Sequence, residues 1–69
     1  MLPFRHIRGY TLFPKAYLIR GDWRGQIDVL HATLRTSHAV PGTFKTEGAA
    51  RAAAAIDTAS LANMLQIYG

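Results

Sequence analysis

The stretch Thr46-Glu47-Gly48-Ala49-Ala50-Arg51-Ala52-Ala53-Ala54-Ala55-Ile56-Asp57, running on through Thr58-Ala59-Ser60-Leu61-Ala62-Asn63-Met64-Leu65-Gln66-Ile67, decides how this chain folds. It reads as one long helix. Thr46 is a good N-cap, because its hydroxyl can accept from an orphan amide of the first turn. Glu47 follows, where a carboxylate suits the positive end of the helix dipole. The alanine run has the best helix propensity available. Gly69 is a candidate stop, at a chain terminus where fraying is expected.

At about 100° per residue, Ile56, Leu61, Met64, Leu65 and Ile67 span roughly half of the helix circumference. Ala50, Ala53, Asp57 and Ser60 fall in the same arc. The pattern predicts a buried face that is small at its N-terminal end and large at its C-terminal end. Asp57 is the oddity within it, since a buried carboxylate must be paired or hydrogen-bonded. Its options are a sheet Arg, a His or a tyrosine hydroxyl, a place at the core margin, or a functional role in a cleft. Ala52, Ala55, Ala59 and Ala62 line the opposite face, with Arg51, Thr58, Asn63 and Gln66 nearby. A solvated helix face normally carries more charge. This face is either plain alanine enrichment or a surface packed closely on a second copy or a partner helix.

Upstream, Arg5, His6 and Arg8 make residues 1–8 a basic arm. Residues 9–13 read as a strand that Pro14 ends or places at an edge. Residues 16–20 form a second apolar stretch, either a short strand or a packed loop. Residues 21–25 carry a glycine at each end and suggest a turn or bulged corner, with Trp23 half buried as an anchor. Residues 26–33 are the clearest strand: Ile27, Val29 and His31 share one face, and Gln26, Asp28 and Leu30 the other. Residues 34–42 read as a loop, with Val40 a possible start of one more strand. Phe44, two residues before the cap, is placed under the first helical turn. The expectation is an α+β domain over residues 9–69, with an antiparallel sheet of three strands, or four, and one C-terminal helix packed on one face.

Gly9-Tyr10, Leu12, Pro14, Trp23 before Ile27 and Val29, and Thr43-Phe44 with Thr46 leading into Ala50, Ala53 and Ala54 follow one another in an order that resembles a small uncharacterised bacterial family. That resemblance runs from about Gly9 to Leu61 and implies a β-β-β-α fold; the family has no established activity to carry over. Leu61 and Met64 stand where it usually has a late aromatic. From Tyr10 onward the chain is also faintly similar to the later part of a double-stranded-RNA-binding domain. Here the basic cluster at the helix start is reduced to Lys45 and Arg51.

The chain has 69 residues, no cysteine, eight Lys and Arg against four acids, and a net charge of +4. A chain this short buries a modest core, which dimerisation would supplement. Without cysteine there is no disulfide, thiol nucleophile or Cys-based zinc site. No stretch is long and apolar enough to cross a membrane. Residues 1–5 lack a signal-peptide hydrophobic region, and the cytoplasm is the expected location. His6, His31 and His38 show no metal-ligand spacing. Ser37-His38 is a sequence neighbourhood and not a catalytic geometry. Gly21 to Gly25 lacks the continuation of a phosphate loop. The reading is therefore no enzyme, no metal and no cofactor.

Two functions remain. The first is a small non-catalytic interaction module, pairing with itself or another protein through Ala52, Ala55, Ala59 and Ala62. The second is weak, largely non-specific nucleic-acid binding through Arg20, Trp23, Arg24, Arg35 and Lys45, where arginines flank aromatics. Arginines gathered on one open sheet face would favour nucleic acid; arginines scattered around the surface would favour the interaction module.

Overall fold

The computed structural model describes residues 4–68. Strands β1 (Arg5–Ile7), β2 (Tyr10–Ile19), β3 (Asp22–His31) and β4 (Leu34–Ala39) precede one helix, α1 (Glu47–Tyr68). The strands form an antiparallel meander in the order β1-β2-β3-β4, with α1 across one face. This is the expected α+β arrangement with the fourth strand present.

Short turns make the meander. Arg8-Gly9 (φ 49° and 83°) and Arg20-Gly21 (φ 51° and 82°) hold positive φ at both central positions. That is the primed geometry whose twist matches a hairpin. The turn at Gly21 therefore takes two residues, not the corner expected over 21–25. Trp23 lies inside β3, opposite Leu18. Its backbone exchanges hydrogen bonds with Phe44, at 3.0 and 2.8 Å, which ties the segment before α1 to the sheet.

Three further expectations are corrected. The arm at residues 1–8 is in part a strand, since Arg5–Ile7 pairs with Tyr10–Leu12 of β2. Arg8 then donates to the Gln66 carbonyl at 3.3 Å, a cation at the negative end of the helix. Residues 1–3 of that arm, and Gly69 as helix stop, lie outside the described residues. The break at Pro14 does not occur. The Val40 N–H donates to the Gly25 carbonyl, so odd-numbered β3 residues bond toward β4 and even-numbered ones toward β2. Pro14, opposite Ile27, turns its nitrogen away from β3, so no bond of the β2–β3 ladder is lost. Finally, residues 34–39 are β4 and not loop. All six are exposed, so no apolar alternation announced them.

Register assigns the faces, because directly opposed residues point the same way. Ile7, Tyr10, Leu12, Trp23, Gly25, Ile27 and Val29 look toward α1. Thr11, Phe13, Lys15, Tyr17, Arg24, Gln26, Asp28, Arg35 and Ser37 look the other way, onto a face no helix covers. The core is Leu12, Ile27 and Val40 against Ala50, Ala54 and Ala62.

α1 begins as expected, with Thr46 Oγ1 accepting from the Ala49 N–H at 3.1 Å. Its buried side is shifted. Ala50, Ala54, Thr58 and Ala62 are buried, and Ala53, Leu61 and Leu65 of the expected arc pack partly against the core, while Ile56, Met64 and Ile67 are exposed. Relative to the arc drawn through the large residues, the helix is turned by roughly a quarter of a revolution. Ala62 thus belongs to the core and not to the outer alanine face, which keeps Ala52, Ala55 and Ala59. The cause is contact distance. A Cβ built on Gly25 would lie 3.0 Å from the Ala50 carbonyl oxygen and 3.1 Å from Val40 Cβ. Only small residues on both surfaces allow that approach. Thr58 fits by donating to the Ala54 carbonyl at 2.7 Å.

Gly25 and Gly48 should therefore respond oppositely to alanine. Gly25→Ala overpacks a rigid contact and should cost about 1–3 kcal/mol in thermal unfolding. Gly48→Ala, whose added Cβ meets nothing within 4 Å, should be stabilising by about 0.5 kcal/mol.

Candidate functional site

The open sheet face holds one unexpected centre. Asp28, on the side of β3 away from α1, is only 2% exposed. A single layer of side chains covers it. Lys15 Nζ from β2 stands 2.5 Å from Asp28 Oδ2, and Arg35 Nη2 from β4 donates to the same oxygen at 2.8 Å. Gln26 Nε2 donates to Oδ1 at 2.7 Å, and Ser37 Oγ donates to it at 3.2 Å. The Lys15 ammonium foremost, then Arg35, Gln26 and Ser37, hold the carboxyl well below the usual carboxylate range, against burial that pushes the other way.

With four donors on two oxygens, Asp28 has little capacity left to act as a base. It joins β2, β3 and β4 across the face. Sequence reading missed this residue. The available signal was an acid alone among four in the chain, placed on the clearest strand between two stretches carrying Lys15 and Arg35.

The nucleic-acid set does not come together. Arg20 sits in the β2–β3 turn and Lys45 in the segment before α1. Trp23 is half buried on the helix side of β3, while Arg24 points to the open face opposite Tyr17. Arg35 is engaged by Asp28. Arg5 shares the helix side with Leu12, and Arg51 bonds Glu47 at 2.6 Å. The cations are scattered over both faces, the turns and the helix. The histidines are also apart: His6 bonds the Thr11 hydroxyl, His31 stacks on Tyr10 with ring centroids 4.1 Å apart, and His38 lies on β4.

A second surface is built by the helix rotation. Ile56 is 69% exposed, Met64 56% and Ile67 63%. α1 packs on β2 and β3 and reaches β1, and its backbone stays clear of that of β4. The inner face of β4 is therefore bare, and Leu34 there is 69% exposed. His38, Asp57, Ser60, Leu61 and Met64 line the groove between α1 and β4. Asp57 is half buried at this margin, the second of the options the sequence left it, and has no ion-pair partner among the described residues.

No protein-family model matches this chain, and no curated protein or solved structure is significantly similar to it. No helix among the described residues is long and apolar enough to cross a membrane.

The Asp28 cluster has a pH signature. The folded carboxyl holds its proton less tightly than the unfolded one, whose pKa is about 3.9. Its stabilising contribution is complete above about pH 5 and is lost as pH falls from about 4 toward the folded-state value. Asp28→Asn should lower the thermal midpoint at pH 7, by about 1–3 kcal/mol in stability. It should also flatten the acid limb of midpoint against pH, followed by circular dichroism.

Proposed function

We propose that this chain is a small non-catalytic protein-interaction module, working through the outward side of α1 and the bare inner face of β4. One observation carries the reading: the helix buries its alanines and exposes Ile56, Met64 and Ile67. Full burial of each such side chain is worth about 1.5–3 kcal/mol. A lone chain forgoes most of that, and a protein partner covering the surface recovers it. Met64 lines the groove between α1 and β4, and exposed aliphatics beside a groove make a patch of the kind that marks interaction sites. The scattered cations also favour this reading over nucleic acid.

The second reading is weak, non-specific nucleic-acid binding on the open face. Tyr17 opposite Arg24, with Lys15 two residues away on β2, is the arrangement that favours it.

Two measurements separate them. Ile56→Gln with Met64→Gln should leave the stability of the dilute chain within about 0.5 kcal/mol, as for exposed positions. A loss above about 2 kcal/mol would make the patch core and end the interaction reading. A labelled single-stranded oligonucleotide should show no anisotropy change at about 0.15 M salt. Binding there that disappears in Tyr17→Ala with Arg24→Ala would move the function to the open face.

A further inference from the structure

We infer that the groove between β1 and α1 binds a small organic anion, a carboxylate or phosphate monoester on a short carbon body, with Arg5 as its cation. This goes beyond the interaction reading and does not rest on it.

The groove is built by small residues. Arg5 pairs with Leu12 and Ile7 with Tyr10, so both β1 side chains lie on the helix side of the sheet. Opposite them, Ala59, Ala62, Asn63 and Gln66 succeed one another by three or four residues along one face of α1. Ala59 and Ala62 add little bulk, and a cavity of about 490 Å³ remains between strand and helix. Small-molecule sites occupy about 300–1,000 Å³.

Its lining has two parts. Ile7, Ala59 and Ala62 give an apolar wall suited to a carbon body. Arg5, Ser60, Asn63 and Gln66 give a guanidinium, a hydroxyl and two amides, all able to donate to oxygen. A planar guanidinium fork matches carboxylate and phosphate oxygens in pairs.

Charge selects the occupant. No ion pair or hydrogen bond engages the Arg5 guanidinium among the described residues. None of the four acids of the chain lines this cavity. Asp28 is held by Lys15 and Arg35, and Glu47 by Arg51. Asp22 lies beside the β2–β3 turn, and Asp57 lines the other groove, toward β4. Arg8 donates to the Gln66 carbonyl, which sets a second cation against the negative end of the helix. The counter-charge for Arg5 therefore has to come from outside the chain, and a cationic ligand would find no carboxylate in the groove.

The test is an NMR titration of the whole isotope-labelled chain at pH 7 and constant ionic strength, which holds screening fixed. The probes are butyrate and butyl phosphate, with butylammonium as the cationic control. Either anion should shift the Asn63 and Gln66 side-chain amides and the Ser60 backbone amide saturably, with a dissociation constant of about 1–10 mM. The amides of Arg20 and Arg24 should stay in place, and butylammonium should move nothing in the groove. The tighter of the two anions names the group. Arg5→Gln should weaken binding about tenfold or more. Ala59→Leu, at an exposed position, should do the same by filling the cavity without touching a charge. Both variants should keep the helical circular dichroism. Unsaturable shifts spread over Arg20 and Arg24, equal shifts with butylammonium, or undiminished binding in either variant would each overturn the site.

Discussion

The close approach of α1 to β3 at Gly25 is the constraint on which the rest of the structure depends. The Ala50 carbonyl and Val40 crowd the position a Gly25 side chain would occupy. At that crossing the helix can present only small groups to the sheet, while nearer its C-terminal end Leu61 and Leu65 pack partly against the core. Ala50, Ala54, Thr58 and Ala62 meet that condition, spaced four residues apart on one stripe. Ile56, Met64 and Ile67 do not, and the same rotation that seats the alanines carries them outside. The uncovered β4 follows from the same placement, because a helix seated on β2 and β3 stops short of the fourth strand. Burying large aliphatics is ordinarily the dominant gain in folding. Here part of that gain is left on the surface, and the proposed function is the account of where it goes.

The other face of the sheet is held differently. It has no covering layer, so apolar packing cannot fix the pairing of β4, whose residues are all exposed. Asp28 supplies what packing does not. It draws Lys15 from β2 and Arg35 and Ser37 from β4 onto one carboxylate, and a one-residue slip of either strand would carry those partners to the opposite face. The cost is functional: two of the cations on the open face are spent on an internal charge, which leaves Arg24 as the main cation beside Tyr17. Lys15 and Arg35 outnumber Asp28, so the cluster keeps one net positive charge beside Arg24.

Much of the architecture was legible. Thr46 as cap, the helix from Glu47, the alternation of Ile27 and Val29 against Gln26 and Asp28, and an antiparallel sheet with one covered face all follow from local chemistry. The misses have a common cause. β1 has three residues, and β4 has no buried one, so neither carries a periodic pattern to detect. Pro14 reads as a break unless one knows which side of β2 its nitrogen faces. Hydrophobic size points to one buried arc while interlayer distance selects another, so the rotation of α1 is not legible in the pattern. For that reason Ala62 is core, and Ile56, Met64 and Ile67 are not. Asp28 is readable only as one of a row with Gln26 and Leu30, since its partners arrive from strands on both sides.

The orientation of α1 is therefore the claim to test most directly. Nuclear Overhauser contacts among labelled methyl groups at low concentration report it without reference to function. Ala54 and Ala62 methyls should show cross-peaks to Leu12 and Ile27, while Ile56 and Met64 methyls show none to either. Strong cross-peaks from Ile56 or Met64 to Leu12 or Ile27 would put the large residues in the core and contradict the account.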